Sequence, residues 1–186
     1  MKKVKNACLG GLAAASLFCA PAWAEMQVSS HDMTDGNTLP MAHVFNNFGC
    51  KGENISPHLA WSGAPKETKS YAVTVYDPDA PTGSGWWHWV AFNIPATVTE
   101  IKTGASANTM PQDAVESLSD YGFTHFGGAC PPPGDAPHRY IFKVHALDTP
   151  SLPLDEKATG AMVGYYLTQH RLDSAKMTLT YGRGVQ

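Results

Sequence analysis

Two stretches of strict alternation constrain this chain most. From Arg139 to Leu147, Tyr140, Phe142, Val144 and Ala146 alternate with Arg139, Ile141, Lys143 and His145. From Lys176 to Tyr181, Met177, Leu179 and Tyr181 alternate with Lys176, Thr178 and Thr180. A period of two places successive side chains on opposite faces, so both segments read as half-buried antiparallel strands. Lys69–Tyr76 runs into β-branched Val73 and Val75 before a proline-rich break, and Trp87–Ile94 is a mostly apolar run that stops before Pro95. The fuller apolar run suits an interior strand. A weaker strand pattern covers Met26–Ser30. One helix is expected, from about Ala158 to Leu172, with Met162, Val163, Tyr166 and Leu167 as its apolar stripe and Asp155 or Thr159 as its cap. Gly160 and Gly164 share a face of that helix. Each costs up to about 1 kcal/mol against alanine, which points to close approach of the helix to the sheet. The expected fold class is mainly β, an antiparallel core with helices at its edge.

The N-terminus reads as an export signal. Lys2, Lys3 and Lys5 form a basic start, Ala7–Ala20 is small or apolar without charge, and Ala22-Trp23-Ala24 supplies small residues around a cleavage point. That order predicts a signal peptide over 1–24, with cleavage after Ala24 and a periplasmic mature chain, 25–186, forming a single domain. The apolar run is shorter than the roughly 20 residues of a membrane-spanning helix. Cys19 follows Phe18, which does not fit a lipidation site. Removing the signal leaves 10 basic residues against 16 acidic ones, a formal charge of −6. An acidic chain of this kind is a poor partner for nucleic acid or for anionic membrane surfaces. No later apolar stretch is long enough to make it an integral membrane protein. Cys50 and Cys130 remain after cleavage, and an even pair in an oxidising compartment suggests one disulfide between them.

Long segments without regular patterning, Leu39–Ala60, Pro95–Asp120 and Tyr121–His138, are where function is expected. Three groups in or beside them carry chemistry. Asp77-Pro78-Asp79-Ala80-Pro81 closes a strand with a stiff turn that fixes two carboxylates. Trp86-Trp87-His88-Trp89 sets one imidazole among three indoles. On a regular strand His88 and Trp86 share one face, and Trp87 and Trp89 share the other. Gly127–Gly134 is rich in glycine and proline and leads into His138-Arg139-Tyr140. Its glycines would let backbone N–H groups approach an anion. Each group also has an ordinary structural reading: solvated acids in a turn, a core histidine on a backbone carbonyl, and Arg139 in a structural ion pair with a carboxylate of the first group.

Taken in order, Asn54-Ile55-Ser56-Pro57-His58-Leu59-Ala60-Trp61, the strand Ser70–Tyr76 entering Asp77-Pro78-Asp79-Ala80-Pro81, Trp87-His88-Trp89, Cys130-Pro131-Pro132 and His138-Arg139-Tyr140 resemble the phosphatidylethanolamine-binding protein (PEBP) family. Within it they resemble the bacterial YbhB/YbcL-like, Raf kinase inhibitor-like branch. The resemblance implies a large antiparallel sheet packed with a smaller one, plus peripheral helices, one near the C-terminus. It implies a pocket for phosphate, acetate or a phosphoethanolamine headgroup, with Asp77, His88 and His138 at its centre and Pro132 and Tyr140 in its wall. Asp79 and Arg139 would support the pocket from outside. The chain departs from the eukaryotic pattern at Trp87-His88, where a His-His pair is usual, and at Ala136, where a glycine is usual.

The family includes lipid-headgroup binders, kinase-pathway modulators and protease inhibitors, and no settled catalytic activity or cofactor comes with it. The leading expectation is therefore a binding or modulatory protein that uses His88 and His138 as N–H donors to an anion, with affinity rising as pH falls from about 8 to 6. A protein-docking role, with a protease as the example, is the alternative, and a homodimer is compatible with the sequence. A hydrolase built on Asp77, His88 and His138 lacks a Gly-x-Ser-x-Gly elbow. A metal site from the same residues matches no standard ligand spacing.

Overall fold

In a computed structural model the described residues are 25–184, so the export segment read over 1–24 lies outside them. Eight strands and one α-helix follow in the order β1 (Gln27–Ser29), β2 (Leu59–Ser62), β3 (Ser70–Asp77), β4 (Trp86–Pro95), β5 (Glu100–Ile101), β6 (Val115–Glu116), β7 (His138–Leu147), α1 (Gly160–His170) and β8 (Arg171–Tyr181). The large sheet has the order β6-β4-β3-β7-β8 and the small one β1-β2-β5, with every named pairing antiparallel.

The main core lies between the sheets. Val73, Val75, Trp89, Phe142, Val144, Met177 and Leu179 of the large sheet meet Leu59, Trp61 and Ile101 of the small one. A second core covers the outer face of the large sheet, where Val163 and Leu167 of α1 pack over Ala72, Val90, Phe92 and Leu147. Covered on both faces, β3 is buried at seven of its eight positions. That is the apolar run expected of an interior strand.

Thr159 caps α1 by accepting the Met162 N–H. The helix stripe narrows to Val163 and Leu167 with Tyr166 partly buried beside them, since Met162 is half exposed. Gly160 is where helix and sheet approach closely: a Cβ there would lie 2.4 Å from Trp87 Cγ. At Gly164 the nearest atoms would be 3.9 and 4.0 Å away. No turn separates α1 from β8, which begins at Arg171, five residues before the alternation read from the sequence.

The regular-strand reading of the three tryptophans does not hold. Val75 pairs with Trp89, but the next residue, Tyr76, pairs with Trp87, so His88 is an extra residue in β4. A bulge shifts the alternation of the residues that follow it. Trp87 consequently packs with the helix-side core and Trp89 with the inter-sheet core. Among the described residues, no helix is long and apolar enough to cross a membrane.

Candidate functional site

The bulge places His88 beside the C-terminal end of β3 and the start of β7, at one end of the large sheet. There a cavity of about 180 Å³ is lined by Asp77, Trp86, His88, Tyr121, Pro132, His138 and Tyr140, among others. Asp77, His88, Pro132, His138 and Tyr140 thus share one pocket, with Asp77 and His138 in contact across 61 positions of chain.

Asp77 is almost completely buried, and its carboxylate is fully committed. One oxygen accepts from His138 Nδ1 at 2.7 Å. The other accepts the N–H groups of Asp79 and Ala80 at 2.8 and 3.1 Å, which builds the turn after β3. Asp77 therefore orients His138. His138 Nε2 has the half-exposed carboxylate of Asp135 at 3.5 Å.

His88 sits edge-on to Tyr121 and Tyr140. Its Nδ1 lies 2.8 Å from the Gly127 carbonyl and 3.2 Å from that of Gly128. Carbonyls only accept, so Nδ1 carries the hydrogen and Nε2 is the atom left for the pocket. Burial holds the His88 pKa below the ordinary imidazole value, so the neutral ring is favoured. This narrows the expectation that His88 and His138 serve as N–H donors to an anion. In both histidines the Nδ1–H is spent inside the fold, and neutral Nε2 can only accept. Donation from Nε2 requires the protonated ring.

Two other groups are ready to donate. The Tyr140 hydroxyl and the Trp86 indole N–H are shut off from solvent and have no hydrogen-bond partner among the described residues. Each such buried orphan costs about 1–3 kcal/mol. Both side chains line the cavity. Burial and the nearby Asp77 push the Tyr140 phenol pKa far up, so it keeps its proton. Tyr140 is a wall residue of the resemblance, whereas Trp86, on the His88 face as regular alternation implies, carries no role in that pattern.

The glycine-rich loop serves differently from its sequence reading. The Gly127 N–H donates to the His88 carbonyl at 2.9 Å, and the Gly128 N–H to Asn54 Oδ1 at 2.7 Å. Neither is free for an anion. A Cβ at Gly128 would lie 2.4 Å from the His43 carbonyl, so glycine permits backbone contact between this loop and the chain at 43–45. Asn54, whose amide also donates to the Phe126 carbonyl at 3.3 Å, clamps the loop from the other side. The Cys50–Cys130 disulfide joins the same two segments, and Cys130 lines the cavity beside Pro131 and Pro132. Phe48, largely exposed and close to this bridge, stands at the rim.

Arg139 and Asp79 lie outside the cavity as a bidentate pair, Nε to Oδ2 at 2.9 Å and an Nη to Oδ1 at 2.7 Å. The guanidinium holds the Asp79 carboxyl down to about 2. The pair staples the start of β7 to the turn that carries Asp77. No cluster of histidine, cysteine and acidic side chains suited to a metal occurs among the described residues.

Two packed antiparallel sheets, with an aspartate–histidine pair and a second histidine lining a cavity at one end, define the class as a two-sheet β protein. The sequence profile of the phosphatidylethanolamine-binding protein family matches residues 29–182, and the chain belongs to that family. It is 52% identical over 161 residues to the UPF0098 protein YbcL of Escherichia coli (strain K12), covering 85% of this chain and 88% of YbcL. It is 50% identical over 158 residues to YbhB of the same organism, covering 84% of this chain and 99% of YbhB. The crystal structure of E. coli YbcL, described as a new member of the mammalian PEBP family, superposes with a TM-score of 0.83 over 86% of this chain and 99% of that one. The mainly β, two-sheet fold with its late helix is the fold of these relatives.

Proposed function

We propose that this protein is an exported binding protein whose pocket takes a small anion or a phosphorylated headgroup. The observation that carries this reading is the pair of buried, unpartnered donors, Tyr140 O–H and Trp86 Nε1–H, on two side chains that line one cavity. A ligand rich in acceptor oxygens relieves both. The cavity, about 180 Å³, suits a headgroup and falls below the roughly 300–1,000 Å³ of pockets for drug-sized molecules.

An anion would also favour protonation of the histidine it touches, turning Nε2 from acceptor to donor. Binding is then coupled to proton uptake, and affinity increases on acidification. The signal pattern over 1–24 and the bridged Cys50–Cys130 pair support a periplasmic location. A hydrolytic reading has less support: Cys130 is bridged and the Thr82 hydroxyl at the rim donates to the Gly85 carbonyl. The test is an NMR titration of the mature chain with phosphate and phosphoethanolamine, following the His88 and His138 rings. Saturable shifts that disappear in His138→Ala support the reading. No shift at millimolar ligand overturns it.

A further inference from the structure

The outer face of the large sheet carries a second cavity, about 270 Å³, between α1 and strands β3, β4 and β7. It shares no wall residue with the first pocket. Trp87, Ile141 and Leu167 give it apolar sides, while Lys143 and Arg171 stand at its edge and no carboxylate lines it. Neither cation forms an ion pair among the described residues. Lys143 is also directly opposite Lys176 in the β7–β8 register, an unfavourable pairing of like charges. Two nearby acids are engaged elsewhere, and the third forms no ion pair among the described residues. Asp148 pairs with His170, Asp173 accepts the Met26 and Ser174 N–H groups, and Glu25 lies in a neighbouring groove with Lys143 and Lys176. Burial and the two neighbouring cations lower the Lys143 pKa, as expected of positive charge without a counter-ion.

A proton count in the cavity wall points the same way. Thr74 Oγ1 and His145 Nε2 are 3.0 Å apart, and both residues are buried. The pair holds two protons when the imidazole is neutral, one on the hydroxyl and one on the ring. Only one fits between them, and His145 Nδ1 is shut off without a partner. One buried polar group of the pair is thus left unsatisfied. Gly164 is the third observation. Its close packing does not require glycine, since a Cβ would meet only ordinary contacts at 3.9 Å and beyond. The absent side chain of this mid-helix glycine leaves the cavity open where a larger one would fill it.

We propose that this cavity is a second ligand site, selective for a small amphipathic organic anion. Its apolar body lies against Trp87 and Leu167, and its carboxylate sits between Lys143 and Arg171. The probe is phenylacetate, with neutral phenylacetamide as the control, titrated into the mature protein by NMR. Saturable shifts at the Trp87 indole and Leu167 methyls are expected, with phenylacetamide about tenfold weaker or worse. Gly164→Leu should abolish the response by filling the space. Lys143→Gln should weaken phenylacetate about tenfold while leaving the apo protein as stable or more so, because it removes a repelled charge. Dispersed amide spectra confirm that each variant is folded. Equal binding of phenylacetamide, shifts that survive Gly164→Leu, or shifts confined to Trp86 and Tyr140 of the first pocket would each overturn the proposal.

Discussion

Replacing Gly160 and Gly164 in turn by alanine should move stability in opposite directions, although they lie one turn apart on α1. At Gly160 the new Cβ would be 2.4 Å from Trp87 Cγ and 2.6 Å from Cδ1 and Cδ2. These atoms are the root of the indole, one and two bonds from the tryptophan Cβ, so they cannot swing away alone. The ring is also packed against Tyr76 at 4.7 Å between centroids. Relief requires α1 to lift from β4, and overpacking of this kind costs about 1–3 kcal/mol. The gain in helix propensity offsets at most about 1 kcal/mol of that. Gly160→Ala should therefore lose about 1–2 kcal/mol. Gly164→Ala meets only ordinary contacts and should gain up to about 1 kcal/mol. Urea unfolding of both variants, with equal slopes, reads the gap directly. For a domain of this size a gap of about 1–3 kcal/mol also separates the melting temperatures by roughly 2–12 °C. Equal stabilities within about 0.5 kcal/mol, or a more stable Gly160→Ala, would refute the packing argument.

Replacing Cys50 and Cys130 together by alanine removes a bridge across 80 positions, worth about 4.5 kcal/mol in the chain-entropy model. The hydrogen bonds from Phe45 to Ala129 and from Gly128 to Asn54 still tie the two segments, so sulfate affinity should change less than about threefold. Thermal unfolding and calorimetry check both halves, and a stability loss under about 1 kcal/mol would contradict the first. Acid should destabilise the fold below the ordinary imidazole pKa of about 6.5. Burial lowers the pKa of both His88 and His145, the latter to about 3. Between pH 6.5 and those lower values the unfolded chain binds protons that the folded one does not. Stability then falls with pH by up to about 1.4 kcal/mol per unit for each ring. A flat unfolding free energy from pH 6.5 to 5 would contradict this, and His145→Gln should reduce the slope.

The strands that alternate in sequence were legible because one face of each is buried. Tyr140, Phe142, Val144 and Leu179 all point into the core as their spacing implies. The short strands β2, β5 and β6 were not legible, since two to four residues carry no period and form only by pairing with a neighbour. The start of β8 was missed for a related reason. Arg171–Ala175 has no apolar alternation and becomes strand through its ladder with β7. At the site, the aspartate and the two histidines stood out because turn, strand start and loop end are marked by proline, tryptophan and glycine, and it was the family resemblance that put them in one pocket, whose wall they share. What local sequence could not supply was the bulge at His88. It sends Trp87 and Trp89 to different cores. The partners of the loop N–H groups were equally invisible, because Asn54 lies 74 positions from Gly128.

The most direct test of anion binding is calorimetric titration with sulfate, which does not titrate in this range, into the native protein and into Tyr140→Phe. The substitution removes one buried hydroxyl and keeps the ring that fills the cavity wall. If that orphan donor is there for a ligand oxygen, the variant should bind sulfate about tenfold or more weakly at pH 6, and be as stable as the parent or more so without ligand. Undiminished sulfate affinity in Tyr140→Phe, or no heat with the native protein at millimolar sulfate, would contradict the account.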